Sequence, residues 1–299
     1  MINFYLPGIS KNIGLNMTIV NIIKEHPEYF RPNLNIGAFY GVFPNSLWNG
    51  GRIPVYEEPY TTKDIKASIE FMQNNQIPIR FTFSNMLITE TDLKDEFCNY
   101  CLQMAHNEKN AVILTSPLLE QYIRTNYPKY QIISSTCKCI TNMTELRQEL
   151  KSSYNFVVIN QNLNNTKEIF NIDEKNKCEI LINPACQDNC PIQKQHYLNI
   201  SNQQKKIVNG KTTIMRAMKE FQCPYVNNKN NTKYISSDAL WNLYVPAGFS
   251  HFKIQGRNGT PQDLIPTYCD YFVLPQYISD VKVMLYESLI KSNLLQYAF

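Results

Sequence analysis

Eight short runs of β-branched and aromatic residues, each followed by a helical pattern, constrain this chain more than any other feature. They cover residues 2–6, 35–39, 78–83, 111–114, 131–134, 156–159, 179–182 and 251–254. Apolar runs of this length read as strands buried on both faces. The strand–helix units recur every ~25 residues or so, which is the rhythm of parallel βαβ units. Eight of them favour a closed α/β barrel of the (β/α)8, TIM-like type over an open doubly wound sheet. The open sheet would need a glycine-rich phosphate loop after its first strand, and only Gly8 and then Gly14 lie there. A length of 299 residues suits one such barrel, so a single domain over 1–299 is expected.

Helical patterns fill the gaps. Residues 61–75 place Ile65, Ile69 and Met72 on one face. Residues 89–107 open with Thr89 and Thr91 before Asp92 and Asp95, a capping-box pattern. Ser116 followed by Pro117 reads as an N-cap and first helical residue for 118–126. Residues 142–152, 164–173 and 280–295 are further candidates. The rhythm breaks between 183 and 250, where one helical stretch (191–204) precedes a long irregular segment that includes Asn227–Asn231. An insertion at the C-terminal end of a barrel strand is where barrels build their sites.

Composition narrows the function classes. The hydrophobic fraction is 43%, the charged fraction 18% and the net charge only +4, which fits a soluble globular protein. Scattered basic residues give a dedicated nucleic-acid binder no support. The first eight residues carry no basic region ahead of an apolar stretch, and no apolar run is long enough to span a bilayer. A cytoplasmic location is expected. The nine cysteines are then expected as thiols, because the cytosol keeps them reduced.

Four of these cysteines stand out as ligand candidates: Cys186, Cys190, Cys223 and Cys269. The first two flank three residues in Asn183-Pro184-Ala185-Cys186-Gln187-Asp188-Asn189-Cys190-Pro191, directly after the seventh strand. Proline after the second thiol resembles the ending of many cluster loops. Cys223 precedes Pro224 inside the insertion, and Cys269 follows the eighth strand. Loops after neighbouring strands of a closed barrel can converge, and four thiolates suit an iron–sulfur cluster or zinc. The other cysteines read differently. Cys98 and Cys101 have the spacing of core positions on a helix, and Cys178 opens a strand. Cys137 and Cys139 follow the fifth strand and could face the barrel mouth. A radical S-adenosylmethionine enzyme would need a third cysteine where Gln193 stands, so that class is rejected.

Other groups are candidates for substrate. Lys253 and Arg257, at the end of the eighth strand, could hold a carboxylate or phosphate, with a pair to barrel acids as the structural alternative. Arg80, Asn160 and Asn183 lie on or just after strands. His196-Tyr197 leaves the cysteine loop, and Glu57-Glu58 is a possible acid–base pair, though a solvated loop is the simpler reading.

The segment His251-Phe252-Lys253-Ile254-Gln255-Gly256-Arg257 resembles the Leu-Lys-Ile-Glu-Gly-Arg signature of the collagenase-like peptidases of family U. That family includes the UbiU and UbiV proteins of oxygen-independent ubiquinone synthesis and proteins needed for RNA hydroxylation. Residues 154–162 and 180–184 are similar to its central strands. The resemblance implies a barrel with a [4Fe-4S] cluster at its mouth, held by Cys186, Cys190, Cys223 and Cys269 in the family's order. It implies hydroxylation without molecular oxygen, on a small anionic or RNA-linked substrate. Gln255 replaces the family's glutamate, and Cys186 and Cys190 stand closer together than in the family. Two other functions compete: a metal-binding subunit of a heteromeric complex, with catalysis on a redox or heterodimer partner, and a peptidase. The last finds neither a Ser–His–Asp nor an HExxH arrangement among four scattered histidines.

Overall fold

The structure is a computed structural model that describes residues 1–55, 60–220, 223 and 232–294. Eight parallel strands close into a barrel in sequence order. They are β1 (Ile2–Pro7), β2 (Leu34–Gly41), β3 (Ile79–Phe83), β4 (Ala111–Leu114), β5 (Gln131–Ser134), β6 (Phe156–Val158), β7 (Cys178–Leu181) and β8 (His251–Lys253). Closure is made by β8 against β1, pairing Asn3 with His251 and Tyr5 with Lys253. Every expected strand is present, with ends shifted by at most two residues.

The main core lies between the barrel wall and the outer helices. Alternation along the strands gives Phe4, Phe39, Phe81, Ile132 and Phe252 to that layer. It sends Tyr5, Tyr40, Ile113, Ile133 and Val158 into the barrel. The helices are α1 (Ile13–Glu25), α2 (Thr62–Asn74), α3 (Glu96–Met104), α4 (Pro117–Asn126), α5 (Met143–Lys151), α6 (Gln193–Val208), α7 (Ile214–Glu220), α8 (Ser237–Ala239), α9 (Pro261–Phe272) and α10 (Ile278–Lys291). Ser116 caps α4 through the Leu119 N–H, with Pro117 as first residue, as expected. Residues 89–107 are not one helix. Asp92 accepts from Thr89 over a 3₁₀ turn, and Asp95 then caps α3 separately.

Residues 164–173 do not form an α-helix, only a 3₁₀ turn over Lys167–Asn171. Asn164 and Asn165 are occupied elsewhere. The Asn164 amide donates to the carbonyls of Leu181 and Lys233, and that of Asn165 to Thr232 and Tyr234. These bonds fasten the returning end of the insertion to the barrel.

The described part of the insertion carries α6, α7 and α8. α6 crosses the loops that follow β2 and β3: Gln204 donates to Ser46 O, and Asn85 donates to Ser201 O. Its Tyr197 and Ile200 pack on Cys137 beyond β5. The helix therefore roofs the C-terminal mouth of the barrel. Asn227–Asn231 lie outside the described residues.

Candidate functional site at the barrel mouth

Residues pointing into the barrel meet a cavity of about 150 Å³ under α6. Its floor is apolar: Tyr40, Ile113, Val158 and Leu181. Its wall carries Arg52, Lys253, Arg257, Gln161, His196, Cys137, Cys186 and Cys223. No aspartate or glutamate lines it among the described residues. This is the C-terminal face of the strands, where barrel enzymes place their chemistry.

Below the floor the charges are paired. Glu179 is fully buried between Arg80, which donates to one carboxylate oxygen, and Lys253, whose Nζ lies 3.1 Å from the other. Burial alone would raise the Glu179 pKa, but Lys253 and Arg80 hold it below the usual carboxylate range. The Arg80 guanidinium stacks 3.4 Å from the Tyr5 ring centroid. Tyr5 Oη lies 2.6 Å from His251 Nδ1. Arg80 is therefore a structural residue of the barrel interior, not a substrate group at the mouth. Lys253 belongs both to this ion triad and to the cavity wall. Asn160 is likewise internal: it receives the Asn162 N–H and donates to Gln193 Oε1, fixing the start of α6. Asn183 links β7 to β8 by accepting from the Gln255 N–H and donating to Gln255 O.

The cations of the wall are differently placed. Arg257 donates from Nη1 to Thr82 Oγ1 (2.6 Å) and Asn49 Oδ1 (3.1 Å), and from Nη2 to Gly50 O (2.9 Å). All three acceptors are neutral, so the guanidinium is held in place but its charge meets no carboxylate among the described residues. Burial lowers its pKa, although an arginine keeps its proton. Arg52, also on the wall, forms no ion pair among the described residues. The Gln161 amide is 1% exposed, and its Nε2 finds no acceptor among the described residues. A buried donor without a partner costs about 1–3 kcal/mol unless a ligand or water accepts from it.

Arg52 has a local signal in Asn49-Gly50-Gly51-Arg52. A side chain at Gly50 would come within 2.1 Å of Ser84 O, and Gly51 has φ +76° with Cys137 Sγ 3.0 Å from the Cβ position. Only glycines let this loop lie flat against the neighbouring strand end and thiol. Glu57-Glu58 lie outside the described residues.

Five thiols surround the mouth. Cys137 and Cys139 sit on the turn after β5, where Lys138 is tied to Glu149 at 2.5 Å and to Tyr154 Oη at 2.8 Å. Cys186 and Cys190 lie on the loop after β7, with Cys223 beside Cys186 on the same cavity. Burial raises the Cys186 thiol pKa, opposed by Arg52 and reinforced by Cys190 and Cys223. Burial likewise pushes Cys139 up to about 12, with Cys137, Cys186 and Cys190 within electrostatic reach. None of these cysteines is in a disulfide. Among the described residues, no three His, Cys, Asp or Glu side chains converge as a finished ligand set. His196 lines the cavity, and burial, then Arg52, lowers its pKa.

Cys269 is the exception among the four ligand candidates. It lies nine residues into α9, fully buried, with Lys282 of α10 and Asp270 as its charged neighbours. The helix turns it into the apolar layer outside the barrel, away from Cys186, so it is no part of the mouth. The sequence carried the warning: Thr260 and Asp263 form a capping box with Pro261 as first helical residue.

Comparison with known proteins agrees with this architecture. A family model described as peptidase family U32 matches residues 55–272. The solved structure of the U32 peptidase Mk0906 superposes with a TM-score of 0.54 at 9% identity, over 85% of this chain and 92% of that one. At that identity the likeness concerns the fold alone. No curated protein matches the chain.

Proposed function

Since the chain belongs to peptidase family U32, we propose that its mouth thiols hold an iron–sulfur cluster beside a pocket for a small anionic substrate. Cys186, Cys190 and Cys223 remain the ligand candidates, with Cys139 or Cys137 replacing Cys269. The observation that carries this reading is the gathering of thiols from three chain segments around one cavity walled by Arg52 and Arg257. The donor set fits the group: it is all sulfur and outside any disulfide. Burial raises the pKa of the Cys137, Cys139 and Cys186 thiols, and a metal is the kind of positive centre that ionises such groups.

A bound cluster would supply electron transfer, and the family signature at 251–257 points to hydroxylation without molecular oxygen, with a redox partner as electron source. The protein's own residues do the rest. Arg257 presents a preoriented cation to a carboxylate, Arg52 adds a second, and Gln161 offers an unused N–H. Tyr40, Ile113, Val158 and Leu181 take the apolar body. A cavity of about 150 Å³ suits a metabolite rather than an RNA chain.

The peptidase reading finds less support. Both cavity serines are engaged with backbone groups: Ser84 Oγ donates to Ile113 O, and Ser135 Oγ accepts from the Cys137 N–H. Anaerobic purification tests the proposal. Brown protein with about four irons per chain is expected, and Cys186→Ala should lose the iron. Colourless protein with one zinc would favour a structural site instead.

A further inference from the structure

Among the described residues, the barrel interior holds more positive than negative charge. Arg80, Lys253 and Arg257 are buried or half-buried, and Glu179 is the carboxylate that faces them. Buried charge without a partner is unfavourable, and an amine relieves it more readily than a guanidinium, because arginine does not give up its proton. If Lys253 is neutral, Arg80 still neutralises Glu179. Burial and the neighbouring cations Arg80 and Arg257 push Lys253 in that direction, while Glu179 opposes.

The same residue also borders the cavity. Lys253 is the last residue of β8 and reaches the cavity that Arg257 lines. Its Nζ lies 4.0 Å from the Tyr40 ring centroid. Tyr40 is itself fixed by donating to Ile254 O at 2.6 Å. The amine therefore lies beside Tyr40 of the apolar floor, with a guanidinium that meets no carboxylate among the described residues on the adjoining wall and a carboxylate 3.1 Å away.

We propose that Lys253 is an amine nucleophile that condenses with the carbonyl of a small 2-oxo acid, whose carboxylate Arg257 holds. The nitrogen lone pair forms the N–C bond to the carbonyl carbon. The carbonyl oxygen leaves as water with the two amine hydrogens, giving an imine without oxidant or reductant. Glu179 is the group placed to take and return protons at Nζ. The inference rests on the anion pocket proposed above, but not on the metal.

Pyruvate, the smallest 2-oxo acid with a carbon substituent, is the probe. It is incubated with the full chain as purified, reduced with borohydride, and the modified residue located by peptide mass mapping. One reduced adduct per chain at Lys253 is expected. Lys253→Arg, which keeps a cation for Glu179, should abolish that adduct. Arg257→Gln should lower it by roughly tenfold or more at subsaturating pyruvate, leaving labelling of exposed Lys63 and Lys66 unchanged. An unmodified Lys253 in folded wild-type protein overturns the proposal. So does labelling that ignores Arg257→Gln and matches the exposed lysines. Metal content measured on the same samples separates the two readings: an adduct without iron removes the cluster, and iron without an adduct removes the imine.

Discussion

The lower and upper halves of the barrel interior treat charge in opposite ways. Below the cavity, Arg80 and Lys253 share the carboxylate of Glu179, and Tyr5 and His251 satisfy one another. At the mouth, Arg52 and Arg257 meet no carboxylate among the described residues. Matched groups stabilise a fold on their own, whereas unmatched ones at a cavity wall are explained by what binds there. Arg80 and Arg257 make the contrast within one residue type.

The strongest way to break this contrast is at Glu179. Glu179→Ala leaves Arg80 and Lys253 buried without their shared carboxylate and should cost about 3–5 kcal/mol of stability, read by chemical denaturation. Loss below ~1 kcal/mol would mean the triad is not structural.

Next comes His251, which burial holds deprotonated down to about pH 4. In the unfolded chain it takes its proton near 6.5. Its contribution is therefore complete above that value and is lost as the pH falls through about 4, about 1–2 kcal/mol in all once solvent screening of the half-buried ring is allowed for. Denaturation between pH 7 and 4 should show that slope, and His251→Gln should flatten it.

A smaller effect sharpens the comparison of the cysteines. Cys269→Ala should cost about 1–2 kcal/mol of packing, the price of a small cavity, with metal content unchanged. Smallest in stability is Arg257→Gln, where relief of a half-buried charge opposes the loss of its bonds to Thr82, Asn49 and Gly50. It should shift the unfolding midpoint little while weakening carboxylate binding roughly tenfold. Equal losses of stability and binding would return Arg257 to the structural class.

The barrel was legible because its strands are short, β-branched and buried on both faces, so each reads as a continuous run. Ala111–Leu114 and Gln131–Ser134 have the expected ends. The site was legible in part. Residues immediately after a strand, such as Cys137, Cys186 and Arg257, face the mouth because the strand aims them there. Cys269 lies deeper in its βα unit, where helix phase decides its direction, and α9 had not been recognised. Arg80 and Glu179 show the opposite limit: period two places them inside the barrel, but pairing across it depends on three-dimensional closure. Arg52 was missed because its role comes from the flat approach of Gly50 and Gly51 to the next strand end.

The most direct measurement is metal content in anaerobically purified wild type, Cys186→Ala and Cys269→Ala, assayed side by side with folding checked by circular dichroism. The expected result is iron in wild type and Cys269→Ala and its loss in Cys186→Ala. Iron lost from Cys269→Ala but kept in Cys186→Ala would contradict a cluster at the barrel mouth.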